Sequence, residues 1–176
     1  VNQMGMSDIL KEDWNRLTCL SHSVAKYRFY RIFNPRFFPV FLIRLAFFLQ
    51  ASRLRILAKL ISLFNLVFFG MEVPVGLKIG PGLVIPHTNG IVLGASEIGR
   101  NVTIFHQVTL GALMADFHND LNKRPKVGDG VIIYCGAKVF GPITLGENCV
   151  VGANAVVLKD VLADTVVTGI PAKLAS

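Results

Sequence analysis

Two hydrophobic rhythms divide the chain. From Asp8 to about Phe69 apolar residues recur at helical spacing, and from Ile79 onward they recur every six residues. In the first part, Asp8-Ile-Leu-Lys-Glu-Asp-Trp14 predicts a helix with Ser7 as its cap. Pro35 and Pro39 predict chain breaks. Val40 to Leu49 and Leu54 to Phe69 predict two more helices, interrupted by Arg44, Arg53, Arg55 and Lys59. The longest uncharged stretch there, Leu60 to Met71, is shorter than the roughly 18 apolar residues that a membrane span needs. Helices of this kind suit packing on a partner or lying on a membrane surface.

The second rhythm places aliphatic residues at Ile79, Ile85, Ile91, Ile98, Ile104 and Leu110. After an interruption it resumes at Val127, Ile133, Val139, Leu145, Val151 and Val157. A period of six marks a parallel β-helix, in which three hexads make one triangular turn and each aliphatic side chain stacks inward on its equivalent one coil away. Glycine follows many of them, as at Gly80, Gly99, Gly111, Gly128, Gly146 and Gly152, and is expected at tight corners that need unusual dihedrals. The organisation expected is a helical region over 1–71 and a mainly β domain over 72–176. A loop over 111–126 leaves the solenoid and carries Met114, Asp116, His118, Asp120, Lys123 and Arg124. Loops this long in a regular solenoid are often functional, although a decorative insertion is the plainer reading.

Composition narrows the picture. With 176 residues, 52% apolar and 16% charged, the chain is not a disordered one. It carries more apolar surface than a small monomer hides, so burial between subunits or against a membrane is expected. The net charge of +7 sits in one place: residues 1–71 hold ten Lys/Arg against three acids, and residues 72–176 hold eight of each sign. Because those cations are mixed with Phe and Leu at helical spacing, a membrane face or a protein partner is favoured over nucleic acid. Cys19, Cys135 and Cys149 show no metal-type spacing, and no charged-then-apolar leader pattern opens the chain. A reduced, cytoplasmic compartment is therefore expected, with peripheral contact at the inner membrane as an option.

The hexads also place chemistry. If Ile85, Ile104, Ile133 and Val151 begin equivalent hexads, the residues two further on are His87, His106, Cys135 and Ala153. These would form one ladder, with roughly 5 Å between rungs. A short solenoid leaves flat faces, and three-fold association buries them, which would put the ladder beside a cleft between subunits. His87 is the candidate general base, since neutral imidazole takes a proton near physiological pH. Glu72, fifteen residues earlier at the start of the prism, is the candidate carboxylate to orient it. His106 and His118 are weaker candidates for the site; a structural role competes for each.

These residues stand within familiar motifs. The stretch Glu72-Val-Pro-Val-Gly-Leu-Lys-Ile-Gly-Pro-Gly-Leu-Val-Ile-Pro-His87-Thr-Asn-Gly-Ile-Val-Leu-Gly94 resembles the first coils of bacterial serine acetyltransferases. Gln107-Val-Thr-Leu-Gly111, Arg124-Pro-Lys-Val127 and Gly169-Ile-Pro-Ala-Lys173 resemble later parts of the same family, so the likeness covers about residues 70–174. It implies a left-handed parallel β-helix, homotrimers and acetyl-CoA as donor, with no metal. His87 falls on the family's catalytic histidine, and Glu72 falls where the family pairs an aspartate with it. Cys135 and Ala153 fall on small positions lining the coenzyme groove, and Ala112 on a glycine beside it. A backbone N–H near Gly111 or Ala112 would face the oxyanion. Lys159 and Lys173 are candidates for the coenzyme phosphates, and Arg124 for an acceptor carboxylate or a phosphate.

The departures shape the functional expectation. Pro86 stands where the serine enzymes carry an acid, Arg124 where they carry a second histidine, and Lys123 where they carry an arginine. A pocket for a small zwitterion needs such charges. The favoured expectation is therefore an O-acetyltransferase acting on a sugar hydroxyl of a surface polysaccharide or its precursor, with serine O-acetylation as the alternative. A remote alternative is a zinc site of the carbonic anhydrase kind built from His87, His106 and His118. A non-catalytic scaffold is a further reading. Pairing of trimers through the N-terminal helices stays open.

Overall fold

In a computed structural model, residues 4–22, 26–114, 116 and 120–175 are described. Helix α1 (Met6–Leu20) is followed by a 3₁₀ turn at Phe29–Phe33 and by α2 (Phe38–Ala51) and α3 (Arg55–Phe69). Two details differ from the expected helices. Gly5 occupies the N-cap of α1 with no side-chain cap bond, so Ser7 lies inside the helix. Pro39 sits in the first turn of α2 instead of breaking the chain, because the first turn has no amide partner to lose.

Fourteen short strands follow among the described residues. They are β1 (Met71–Glu72), β2 (Lys78–Ile79), β3 (Ile91–Leu93), β4 (Glu97–Ile98), β5 (Thr103–Ile104), β6 (Thr109–Gly111) and β7 (Lys126–Val127). The later ones are β8 (Ile132–Ile133), β9 (Lys138–Phe140), β10 (Thr144–Leu145), β11 (Val150–Val151), β12 (Val156–Val157), β13 (Val166–Thr168) and β14 (Lys173–Leu174). They form three sheets, ordered β1-β3-β6-β9-β12, β10-β7-β4-β2 and β14-β13-β11-β8-β5. From β1 to β13 consecutive strands belong to different sheets, which is the wiring of a parallel β-helix. The mainly β fold with an N-terminal helical region matches the expectation.

The inward columns follow the hexads. Ile98 pairs with Val127 and Val127 with Leu145; Ile104 pairs with Ile133 and Ile133 with Val151. Apart from half-buried Ile79, the hexad aliphatics are all buried, eleven of the twelve. One register differs: Leu93, not Ile91, pairs with Leu110, and Ile91 pairs with Met71. The glycines after the aliphatics also act differently from the expectation. Gly80, Gly99, Gly128 and Gly146 lie outside the positive-φ residues; the left-handed corner conformation falls two residues later, at Gly82, Asn101, Gly130 and Asn148. What these glycines supply is closeness of coils. A Cβ on Gly80 would lie 2.6 Å from the Gly99 carbonyl carbon, and one on Gly99 would lie 2.7 Å from that of Gly128.

The helical region joins the prism through α2, through a buried Asp13–Arg44 pair that bonds the prism backbone, and through an exposed Glu12–Arg100 ion pair at 3.0 Å. Val40 and Ile43 of α2 belong to the same buried cluster as Met71, Val73 and Leu77. The Asp13 carboxylate, fully buried, accepts from Arg44 Nε and Nη2 at 2.9 Å each, and from the backbone N–H groups of Gly82 at 2.7 Å and Leu83 at 2.9 Å. Arg44 also donates to the carbonyls of Ile79 at 2.6 Å and Gly80 at 2.7 Å. Every partner in this latch is matched, which is the condition under which buried charges are tolerated. No helix among the described residues is long and apolar enough to cross a membrane.

Candidate active site

The histidine ladder is built by the corner between the sheet of β5 and β8 and the sheet of β3 and β6. Gly136 N–H donates to the His106 carbonyl at 3.0 Å, and Asn154 N–H to the Cys135 carbonyl at 2.9 Å. His106, Cys135 and Ala153 therefore stand on successive rungs. His87 joins them through its ring: the His87 and His106 centroids are 5.9 Å apart, edge to face.

The rung of His87 is irregular, and the irregularity exposes it. Ile104 N–H bonds the Val84 carbonyl, and Gln107 N–H bonds the Asn89 carbonyl. Ile85 is thus level with Ile104, and Gly90 with Gln107. Four residues, Pro86 to Asn89, turn the corner that Phe105 and His106 turn in the next coil. The two extra residues push His87 outward, where it is exposed, whereas His106 is half-buried and its Nδ1 is buried without a hydrogen-bond partner among the described residues. The same excess shifts the stacked residue from Ile91 to Leu93.

Glu72 does not meet His87. No hydrogen bond or ion pair joins them, and the exposed Glu72 lies on the outer face of β1. It borders a cavity of about 250 Å³ together with Val92, Gly94, Thr109, Gly111, Ala112, Met114, Asp116 and Arg124. Two of the expected coenzyme residues, Gly111 and Ala112, therefore share a groove with the carboxylate and with the long loop. In that groove Arg124 is largely buried and pairs with Asp116 at 3.1 Å, and its Nη1 donates to the Gly94 carbonyl at 3.3 Å.

Lys159 and Lys173 are exposed and line one cavity of about 560 Å³ at the C-terminal end of the prism. His118 lies outside the described residues. Among the described residues no three His, Cys, Asp or Glu side chains converge as a metal site would need. Two groups escaped the reading of the sequence. Asp116 is legible in the sequence only as part of a loop, since nothing in the spacing predicts that it closes on Arg124. Lys138, on the outer face of β9, donates its ammonium to the Gln107 carbonyl beside the ladder; the alternation along β9 was the available signal.

Comparison with known proteins bears on what this geometry serves. The family profile for "Bacterial transferase hexapeptide (six repeats)" matches residues 124–159. A serine acetyltransferase of Mycobacterium tuberculosis is 41% identical over 134 residues, which are 74% of this chain and 56% of that protein. A serine acetyltransferase of Helicobacter pylori is 40% identical over 131 residues, covering 74% of this chain and 75% of that protein. The crystal structure of Neisseria gonorrhoeae serine acetyltransferase superposes with a TM-score of 0.85 at 27% identity, over 97% of this chain and 65% of that one. A serine acetyltransferase in complex with CoA superposes with a TM-score of 0.82 at 27% identity, over 97% of this chain and 69% of that one. The chain thus spans between about half and three quarters of the length of these relatives.

These likenesses correct the expectation of a polysaccharide acceptor. Relatives at 40–41% identity are named for serine, so the changes at Pro86, Lys123 and Arg124 do not carry the chain out of that group. The physical reason lies in the loop. The expectation rested on lost charges, yet Asp116 returns an acid to the groove beside Arg124 and Glu72. The left-handed hexapeptide-repeat architecture, the order of the motifs and the identity over three quarters of a relative agree: the chain belongs to the serine acetyltransferase family of hexapeptide-repeat transferases.

Proposed function

We propose that the protein transfers the acetyl group of acetyl-CoA to the hydroxyl of L-serine, with His87 as general base. The observation that carries this reading is the exposed His87 imidazole over the His106 ring, at the head of a column of small side chains. Pantetheine is slim and follows small rungs, so Cys135 and Ala153 suit its path. The lysine cavity holding Lys159 and Lys173 would receive the phosphates. In the reaction, His87 takes the hydroxyl proton as the serine oxygen bonds to the thioester carbonyl carbon. The C–S bond then breaks, and His87 returns the proton to the leaving thiolate. Donors near Gly111 and Ala112 would steady the negative oxygen between the two steps. A cytoplasmic reaction agrees with acetyl-CoA as donor.

The separation of His87 from the Glu72 groove within one chain leads to the assembly. A homotrimer that sets the His87 corner of one protomer against the groove of the next completes the site. Glu72 then stabilises the imidazolium across the seam, and Arg124 and Asp116 face the carboxylate and ammonium of the amino acid. Thiol release from acetyl-CoA, followed with and without L-serine, tests the activity; turnover that ignores L-serine overturns it. His87→Ala is expected to lower kcat on the order of 10²- to 10⁴-fold without lowering Tm. Co-assembly of His87→Ala with Glu72→Gln chains tests the seam. Random mixing leaves about one seam in four with both native groups, so activity should return to about a quarter of the native value. No recovery would place both groups in one chain.

A further inference from the structure

Helix α3 carries a face that the fold leaves uncovered. Its packing side is narrow: Ala58 and Asn65 are buried, with Ile61, Ser62 and Phe69 partly so. Asn65 Nδ2 bonds the Pro39 carbonyl of α2, and Ser62 Oγ bonds the Val73 carbonyl of the first coil. The opposite side holds Ile56, Leu60, Leu63 and Val67, whose spacing of four, three and four residues puts them on one stripe. Their exposures are 79%, 56%, 54% and 67%. Leaving four aliphatic side chains in water on one contiguous stripe marks an interaction surface rather than ordinary surface composition.

Charge decides what covers it. Arg53, Arg55 and Lys59, all exposed and in no ion pair among the described residues, stand at the N-terminal end of this stripe. Between Asp13 and Glu72 the sequence has nine Lys/Arg and no Asp or Glu. A second copy of these helices offers the cations no carboxylate to meet, because that stretch has none. A flat surface of anionic headgroups over acyl chains satisfies both features: the stripe enters the apolar boundary and the cations meet the phosphates. The helix has 15 residues, fit for lying in the interface and too short to cross it.

We infer that α3 docks the protein on anionic bilayer surfaces, with Ile56, Leu60, Leu63 and Val67 inserted and Arg53, Arg55 and Lys59 against the headgroups. This surface is separate from the acetyl-transfer site, and its test reads no catalysis. Flotation of the whole chain with vesicles of phosphatidylcholine containing about 30% phosphatidylglycerol should recover it with the lipid. Vesicles of phosphatidylcholine alone should recover at least about tenfold less. Replacing Arg53, Arg55 and Lys59 together by Gln should weaken partition on the order of 100-fold, about fivefold for each cation. Leu60→Glu with Val67→Glu should abolish it while circular dichroism and the mass in light scattering stay native. Absence from anionic vesicles, or equal recovery with neutral ones, overturns the inference. So does a fall in oligomer mass in the Glu variant, because the stripe would then be a contact between copies.

Discussion

The prism and the helical region solve burial in opposite ways. In the prism, one short pattern is written repeatedly, and each coil buries its aliphatics on the coil before it; Ile104, Leu110, Ile133, Val139 and Leu145 are wholly inaccessible. In the helical region no residue repeats its neighbour's environment. It is held by Val40 and Ile43 in the prism core, by a separate small cluster around Trp14 and Phe37, and by the Asp13–Arg44 pair. The lesson is that repetition makes a core redundant, whereas a unique polar contact concentrates stability in few atoms.

The two regions can be told apart by thiol chemistry, where the contrast should be largest. Burial pushes the Cys149 thiol up to about 11, while Cys19 on α1 is exposed. At pH 8 in the folded protein, Cys149 should alkylate on the order of 100-fold more slowly than an ordinary thiol, and Cys19 should react readily; peptide mapping after iodoacetamide treatment reads both. Equal labelling would mean that the prism opens. The latch comes next. Arg44→Met leaves the Asp13 carboxylate buried without its cation and should cost about 3–5 kcal/mol in denaturant unfolding; adding Asp13→Leu should not restore the loss, because the amides of Gly82 and Leu83 then lose their acceptor. Ile133→Ala, in the middle of a column, should cost about 2–5 kcal/mol. A loss near the lower figure would show that neighbouring coils close the gap. Leu63→Ala on the uncovered side of α3 should shift stability by no more than about 0.5 kcal/mol, and a larger loss would mean that the stripe is packed after all.

What the sequence disclosed follows the same division. The prism was legible because every coil repeats the message, so twelve positions vote for one answer. The register failed only where Pro86 to Asn89 add two residues, since a constant period cannot announce a local excess. That failure falls on the corner that carries His87. The glycine columns were found but misread: a Gly at each repeat is equally consistent with a bent backbone and with two coils too close for a Cβ. The latch was not legible. Asp13 and Arg44 are 31 positions apart, and the amides of Gly82 and Leu83 lie 69 and 70 positions from Asp13, with no periodicity to join them. The acceptor expectation failed for a related reason. Counting the charges missing at Pro86 and Arg124 could not show that Asp116 would fold back onto the guanidinium.

The last strand, β14, runs antiparallel to β13, whereas the other pairings between named strands are parallel. At the other end α2 lies over the first coil. A stack of identical layers with free ends would grow by adding layers from other molecules, as fibrils do. Here the layers under β14 and α2 are unlike those between them, which works against growth along the axis. Duplicating a middle coil should then lengthen the molecule and keep it discrete, whereas stripping either terminal layer would invite filaments.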